Sequence, residues 1–551
     1  MRFASLSPAA IVGAASLYAF SSVSASPVLA RASSAPSATI KNGTVVGVEL
    51  PTFAQEAFLG IPFAQPPMGD LRLRRARSLN TTFEGGVFEA TEYSPFCPGV
   101  GGDNIGFKMS EDCLTVNVVR PAGVKEGDNL PVGAWIYGGG FQMGGNADQR
   151  YNTTYMIQRA VELEKPIISV HINYRTAALG FLNSKEVKAE GSQNLGLYDQ
   201  RLALHWIQEN IAAFGGDPSK VTIWGESAGA ISVAYQLLGY GLSETDLFSG
   251  AILESGNAHT IQFLSVEQSQ KQFDAVLNGT GCAGADDALG CLRGLSLEEF
   301  NNTASAYSFN PVVDGEIIPA YAGDTLASGS FVSVPMLIGT NTDEGSAFGA
   351  KGINTTADLA AALYASYPAM TNSSVDALLE LYPNDPLEGC PFNTGDTVLT
   401  TGLQDKRSNA IYGDLRFQAG RREFAELISK KAPVYSYRFN QPAENATIET
   451  GTTHFVEVAY VFGYPYKTAN TLGTRPGDSE LSHLLQSQWI SFIHDGTPNN
   501  HGIADIPNWP SYADSPSNFV FSRHGQSVET DDYRKEAFEY FKTLDWQLNL
   551  K

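Results

Sequence analysis

The stretch VTIWGESAG at residues 221–229 decides the fold. Its first four residues predict a buried strand, and an apolar helical pattern follows over residues 228–238. A strand-to-helix turn this tight strains its central residue, and small glycine neighbours permit that strain. The turn raises the Ser227 hydroxyl above the sheet edge, where the helix start offers amides to developing negative charge. We therefore predict that Ser227 is a nucleophile; a glycine-rich turn with an incidental serine is the alternative.

Apolar runs of the same kind recur along the chain. Runs that are apolar on both faces are typical of strands in a mainly parallel sheet covered on both sides. Between two of them, residues 198–214 carry Leu204, Ile207, Ile211 and Phe214 along one helical face. This alternation predicts the α/β class, with a large central sheet flanked by helices. The predicted strands are residues 131–137, 166–174, 221–224, 250–253, 335–338 and 433–439.

The sequence predicts a single large domain over residues 36–551. Beyond about residue 40 we find no linker, low-complexity block or internal repeat. Residues 257–331 and 345–430 are expected to be helical inserts around the sheet.

The first 25 residues predict a secretory signal peptide. They carry one Arg, then a mainly small and apolar stretch, then the small-x-small site VSA at residues 23–25. A frayed apolar terminus or a signal anchor is the alternative, but Ser and Ala dilute the stretch too much for a strong membrane span. We expect an exported, secreted protein without stable membrane insertion.

Charge and residue usage exclude several classes of partner. The chain has 36 Lys and Arg against 58 Asp and Glu, a net charge of −22, and its basic residues are scattered. Nucleic-acid binding rests on clustered basic residues, so no nucleic-acid partner is expected. The histidines are dispersed and the cysteines are better used as disulfides, so we predict no metal and no cofactor.

Cysteine usage agrees with export. Sequence distance makes Cys97 with Cys113 and Cys282 with Cys291 the natural disulfide pairs, which leaves Cys390 free and buried. The glycosylation candidates are Asn42, Asn80, Asn152, Asn278, Asn301, Asn354, Asn372 and Asn445.

A serine hydroxyl is a poor nucleophile near neutral pH, so Ser227 needs a base that is itself oriented by an acid. In this type of fold the chain order is serine, acid, histidine. His171 and His205 precede the serine, and His259 precedes the segment where the acid should lie. The first histidine after the last predicted strand is His454, which we predict as the general base. Histidines beyond the next helical stretch are interpreted as surface or packing residues: His483, His494, His501 and His524.

The acid and the oxyanion hole are sought at other strand ends. The segment IGTNTDEG after the strand at 335–338 offers Asp343 and Glu344, and strand geometry does not decide between them. A tetrahedral intermediate needs backbone donors for its charge. The segment GGGF at residues 138–141 follows the first core strand, and the amide of Ala228 would complete the hole. A plain glycine-rich turn explains neither the position nor the three glycines.

Residues 214–229, FGGDPSKVTIWGESAG, are similar throughout to the nucleophile signature of the type B carboxylesterase family, which includes fungal secreted lipases, animal carboxylesterases and cholinesterases. The segment EDCLTVNV at 111–118 resembles the second family signature. Further matches follow in family order at residues 60–64, 173–175, 179–182, 311–315 and 509–512. The resemblance implies an α/β-hydrolase fold and a secreted serine carboxylic ester hydrolase that acts on small-molecule esters through an acyl-enzyme.

The family pattern also assigns the site. It implies Glu344 as the acid and the amides of Gly139, Gly140 and Ala228 as the oxyanion hole, and His454 matches its histidine loop. Its disulfides agree with the two cysteine pairs.

One departure concerns the substrate. The loop at residues 98–112 is short and lacks Trp, whereas fungal lipases of the family carry a long mobile lid there and cholinesterases a choline-stacking Trp. We therefore expect soluble, short-to-medium chain esters. A true triacylglycerol lipase is the alternative. A third hypothesis, a non-catalytic adhesion or binding member of the fold, is opposed by the intact triad.

Overall fold

A large β-sheet runs through the centre of the protein. The structure, a computed structural model, describes residues 35–239, 244–463 and 472–549. Its strands are β1 (Ser37–Ile40), β2 (Gly43–Val46), β3 (Val48–Leu50), β4 (Gln55–Pro62), β5 (Val87–Glu89), β6 (Thr115–Pro121), β7 (Leu130–Ile136), β8 (Ile168–Ile172), β9 (Gly216–Glu226), β10 (Gly250–Glu254), β11 (Met336–Asn341), β12 (Val434–Phe439), β13 (Ser517–Phe521) and β14 (Ser527–Thr530).

Within the described residues the central sheet has eleven strands in the order β14-β13-β12-β11-β10-β9-β7-β8-β6-β4-β3. All pairs from β13 to β8 are parallel. Antiparallel pairs occur only towards the two edges, at β13 with β14 and from β8 through β6 and β4 to β3. Strands β1, β2 and β5 form a separate small sheet. The large, mainly parallel sheet of the predicted α/β class is confirmed.

Helices flank this sheet and supply the crossovers that parallel strands require. Helix α5 packs against β7, β9 and β10, and α16 packs against β7 and β9. The helices are α1 (Thr154–Glu162), α2 (Ala177–Phe181), α3 (Lys185–Ala189), α4 (Leu195–Asn210), α5 (Ala228–Leu238), α6 (Val266–Gly279), α7 (Ala288–Gly294), α8 (Leu297–Ala304), α9 (Ala322–Ser328), α10 (Gly345–Phe348), α11 (Thr356–Ser366), α12 (Asn372–Leu381), α13 (Asp405–Gly413), α14 (Ala419–Ile428), α15 (Val458–Phe462), α16 (Asp478–Asp495), α17 (Lys535–Lys542) and α18 (Asp545–Asn549).

Single turns and one wider helical segment complete the described elements. A π-helical segment, Asp414–Gln418, joins α13 to α14. The 3₁₀ turns are Pro51–Phe53, Gly69–Leu71, Glu84–Gly86, Gly102–Asn104, Gln149–Tyr151, Ile211–Phe214, Pro386–Glu388 and Pro498–Asn500.

All six predicted strands are present, as β7 to β12. Strand β9 begins earlier than predicted, because Gly216 already pairs with Leu130 of β7. The register then shifts across the polar residues 217–220, and pairing resumes at Val221 with Val132. The predicted helix at 228–238 is α5, and the one at 198–214 is α4 closed by a 3₁₀ turn. The two predicted inserts contain α6 to α9 and α10 to α14.

Both predicted disulfides, Cys97–Cys113 and Cys282–Cys291, are formed. Cys390 is free and buried, as predicted.

The chain divides into two units, residues 1–35 and 36–551. The predicted signal peptide lies outside the described residues, and the single-domain assignment of 36–551 stays a prediction. Among the residues that the structure describes, no helix is both long and apolar enough to cross a membrane.

Candidate active site

Ser227 occupies the turn between β9 and α5. Its backbone has φ 55° and ψ −123°, a strained conformation for a residue with a side chain. The flanking glycines are required by a close backbone approach: a Cβ atom on Gly229 would lie 2.0 Å from the carbonyl oxygen of Ile136, and one on Gly225 would lie 2.6 Å from it. The amide of Ser227 donates to the carbonyl of Glu254 at 2.9 Å. The turn is thus held from two sides, and the serine is partly exposed between buried neighbours.

The glycine loop after β7 lies against this turn. A Cβ atom on Gly138 would lie 3.0 Å from Cβ of Ser227. Gly139 and Gly140 have φ of 94° and 62°, a region that favours glycine. Their amides and that of Ala228, the first residue of α5, donate no hydrogen bond to any described residue. Three uncommitted amides near one serine can stabilise a negatively charged oxygen.

His454 lies in the loop between β12 and α15 and contacts Glu344. Its Nδ1 is 2.6 Å from Oε2 of Glu344, whose other oxygen accepts from the amide of Asn341 at 2.8 Å. The Glu344 side chain is fully buried and His454 is nearly so. A carboxylate on Nδ1 fixes the tautomer and orientation of the imidazole and stabilises its charged form.

In the structure His454 is hydrogen-bonded to Glu344, but Ser227 is not hydrogen-bonded to His454. Oγ of Ser227 makes no hydrogen bond with any described residue. Nε2 of His454 is 3.2 Å from Oε1 of Glu226, yet these two atoms do not form a hydrogen bond. Nε2 thus has the Glu226 carboxyl group within ion-pair distance but is not hydrogen-bonded to Ser227. Catalytic hydrogen bonds commonly tighten only when substrate is bound.

Asp343 and Glu344, the two candidates for the acid of the triad, have different partners in the structure. Asp343 turns away from His454 and accepts from the amides of Phe392 and Thr452, each at 2.8 Å. Its own amide donates to the carbonyl of Thr452 at 2.9 Å, so Asp343 ties the histidine loop to the end of β11. Burial raises the pKa of Asp343 to about 6 although both amides oppose the shift. Glu344 is the carboxylate that contacts the imidazole.

Further carboxyl groups are buried around the site: Glu226, Glu254 and Glu457. Glu457 accepts from Nδ2 of Asn341, and Glu254 accepts from Nε1 of Trp489 at 2.7 Å. Burial, reinforced by the neighbouring carboxylates, raises the pKa of Glu226 and Glu254 well above the ordinary value and that of Glu457 to about 7. The shifts favour neutral forms and limit the negative charge packed near His454.

Glu226 lies within the nucleophile motif at residues 221–229, but sequence reasoning gave it no role, and it missed Glu254. The available signal was its position, because Glu254 ends an apolar strand beside the strand that carries the nucleophile. No group of three or more His, Cys, Asp and Glu side chains within the described ranges is arranged to hold a metal ion.

Comparison with known proteins identifies the family. The model of the carboxylesterase family matches residues 34–541. The chain belongs to the carboxylesterase family. A secreted triacylglycerol lipase of Gibberella zeae is 35% identical, with 94% of this chain and 91% of the relative covered. Lipase 4 of Diutina rugosa is 37% identical, with 89% and 91% covered.

Solved structures agree with this membership of the carboxylesterase family. The crystal structure of Aspergillus niger EstA superposes with a TM-score of 0.83 at 30% identity, covering 94% of this chain and 99% of EstA. The predicted α/β-hydrolase fold and the predicted family are both confirmed.

The two carboxylates should differ in their effect on catalysis. Glu344→Gln removes the charge that stabilises the imidazolium, so we expect kcat for ester hydrolysis to fall by about 10³-fold or more with little change in KM. Asp343→Asn loosens the histidine loop without touching the imidazole, so a smaller loss of about tenfold is expected. Steady-state kinetics with thermal melting of both variants provides the comparison. Equal losses in two equally stable variants would contradict the assignment.

Proposed function

We propose that this carboxylesterase-family member is a serine ester hydrolase that uses Ser227, His454 and Glu344 as its triad. The observation that carries the proposal is the hydrogen bond of 2.6 Å between His454 Nδ1 and Glu344 Oε2, made by loops at the sheet edge where the strained serine lies. The glycine amides beside Ser227 supply the oxyanion hole. The site thus has every group that acyl transfer needs.

Each group has a defined role in the proposed mechanism. Nε2 of His454 takes the proton of Ser227 as Oγ attacks the ester carbonyl, and the oxyanion is held by the amides of Gly139, Gly140 and Ala228. The histidine then gives its proton to the leaving alcohol, and an acyl-enzyme remains. Water activated by His454 attacks this ester, the acid is released, and the serine regains its proton. Glu344 holds the imidazole and stays ionised throughout.

The preferred substrates under this proposal are soluble short-to-medium chain esters. The short loop at residues 98–112 is tied to the glycine loop region by two bonds. The amide of Val100 donates to the carbonyl of Gln142 at 2.7 Å, and Oδ1 of Asn104 accepts from the amide of Gly144 at 3.0 Å. A short loop held in this way has little apolar area to uncover at a lipid surface.

Triacylglycerol hydrolysis is the second candidate function. The same loop exposes Ile105, Phe107 and Met109, which are 81%, 37% and 43% accessible, and these side chains could contact a lipid surface. The names of the Gibberella zeae and Diutina rugosa relatives also denote lipases.

Secretion is part of the proposal. Two similar proteins carry the word secreted in their names, one of them secreted lipase 1 of Botryotinia fuckeliana at 35% identity over 93% of this chain. The two disulfides and the predicted signal peptide fit an oxidising export route.

Ser227→Ala tests the mechanism. We expect kcat for 4-nitrophenyl butyrate to fall by more than about 10⁴-fold, because the covalent intermediate cannot form. Labelling by a fluorophosphonate probe should be lost together with turnover. Ser249→Ala, an exposed serine just before β10, is the matched control. Turnover that persists in Ser227→Ala would refute the triad.

The choice between esterase and lipase is tested by crossing the solubility limit of one substrate. We expect the rate on tributyrin to saturate below that limit and to show no jump above it, because the loop at 98–112 is short and bound to the glycine loop. Activity on 4-nitrophenyl esters should decline from butyrate to palmitate. A sharp rise in rate at the emulsion interface, with turnover of triolein, would favour the lipase.

Glycosylation is expected to follow the exposure of the candidate asparagines. Asn42 is buried, and its amide nitrogen donates to the carbonyls of Leu79 and Thr81 at 2.7 and 2.8 Å, so it should stay unmodified. Five candidates are exposed and should carry glycans: Asn80, Asn278, Asn354, Asn372 and Asn445. Peptide mass mapping after enzymatic deglycosylation in ¹⁸O-water, on protein secreted by a yeast, measures each position. A glycan on Asn42 would contradict the expectation.

A further inference from the structure

We propose that Arg416 makes this enzyme select esters that carry a free carboxylate, such as monoesters of dicarboxylic acids. The inference rests on the proposed function, because it places the bound carboxylate one aromatic side chain away from the histidine of the proposed triad.

Two aromatic rings stand directly against His454. The ring centroids of Phe348 and Phe417 are 4.9 and 5.1 Å from that of the imidazole, and they are 5.1 Å from each other. We call Phe348 and Phe417 the aromatic wall. Phe417 is buried, whereas Phe348 is partly exposed, so the outer face of the wall is open to a ligand.

Arg416 places a positive charge on this wall. Its guanidinium carbon is 5.6 Å from the Phe348 centroid and 5.8 Å from that of Tyr412. Arg416 and Phe417 are consecutive, yet both reach Phe348, and they lie in the π-helical segment Asp414–Gln418. Such segments within α-helices are frequent at functional sites. One aromatic side chain therefore separates the Arg416 guanidinium from the imidazole.

The guanidinium has no anionic partner among the residues that the structure describes. Arg416 makes no hydrogen bond or ion pair with any residue that the structure describes, although it is half-buried. Two other shielded arginines do have acidic partners: Arg421 contacts Asp531 at 2.6 Å, and Arg438 contacts Glu529 at 2.6 Å. Five N–H donors beside the proposed triad are thus left for solvent or for a bound ligand.

A carboxylate fits this position in geometry and charge. The planar guanidinium binds carboxylates through two parallel hydrogen bonds, and the contacts of Arg416 with the rings of Phe348 and Tyr412 use none of its N–H donors. The net charge of −22 repels anions at long range, so a local cation is needed for an anionic ester to compete with a neutral one. An ester whose carboxylate reaches Arg416 would span the aromatic wall while its carbonyl lies at Ser227.

A pair of substrates with matched shape tests the proposal. Monomethyl adipate carries the carboxylate, and its primary amide is nearly isosteric and neutral. Both are assayed by pH-stat titration with the wild type, Arg416→Gln, Arg416→Lys and Arg77→Gln, an exposed arginine that controls for the loss of one surface charge. The quantity compared is the ratio of kcat/KM for the acid to that for the amide.

We expect this ratio to fall by about tenfold or more in Arg416→Gln, mainly through KM of the acid, and to be partly retained in Arg416→Lys. Arg77→Gln should leave it unchanged, and added salt should lower it more in the wild type than in Arg416→Gln. An unchanged ratio in Arg416→Gln, or no turnover of the acid by the wild type, would overturn the proposal. Failure of the proposed function is a different result, namely turnover of 4-nitrophenyl butyrate that does not depend on Ser227.

Discussion

The close approach of the end of β7 to the start of α5 is the constraint on which the site depends. The carbonyl of Ile136 leaves no room for a side chain at residue 225 or residue 229, so only glycine permits the turn between them. The same approach brings the glycine loop after β7 against Ser227. Nucleophile and oxyanion donors are therefore positioned by backbone packing within a parallel sheet. Such packing is more rigid than side-chain contacts, and it suits a site that must bind a developing charge without reorganising.

Burial determines the charge state of the carboxyl groups around the imidazole of His454. Four glutamates are buried near His454, and four full negative charges there would be mutually destabilising. Raised pKa values of Glu226, Glu254 and Glu457 relieve this repulsion. The donors supplied by Asn341 and Trp489 satisfy individual oxygens of the cluster, which reduces the cost of keeping polar groups away from water.

The elements that were predicted correctly are those that a local sequence pattern determines. The six parallel strands are continuous apolar runs, and α5 directly follows a glycine-flanked turn, so β7 to β12 and this helix were found. The antiparallel edge strands β3, β4, β6, β13 and β14 were not assigned, because their pairing depends on partners far away in the chain. Glu254 was missed although it directly follows the predicted strand at residues 250–253. Arg416 was missed because nothing in the adjacent sequence shows that it lies above a ring that contacts His454.

The adjacent pair Asp343 and Glu344 shows how one short segment performs two tasks. Both follow β11 and both are buried, so they compete for the same space near the histidine loop. The backbone directs them apart: Glu344 reaches the ring of His454, whereas Asp343 accepts from the amide of Thr452, two residues earlier in the same loop. One carboxylate therefore holds the imidazole and its neighbour holds the backbone that carries it. Because the two residues are joined by a single peptide bond, a movement of the loop cannot shift the imidazole without straining both contacts.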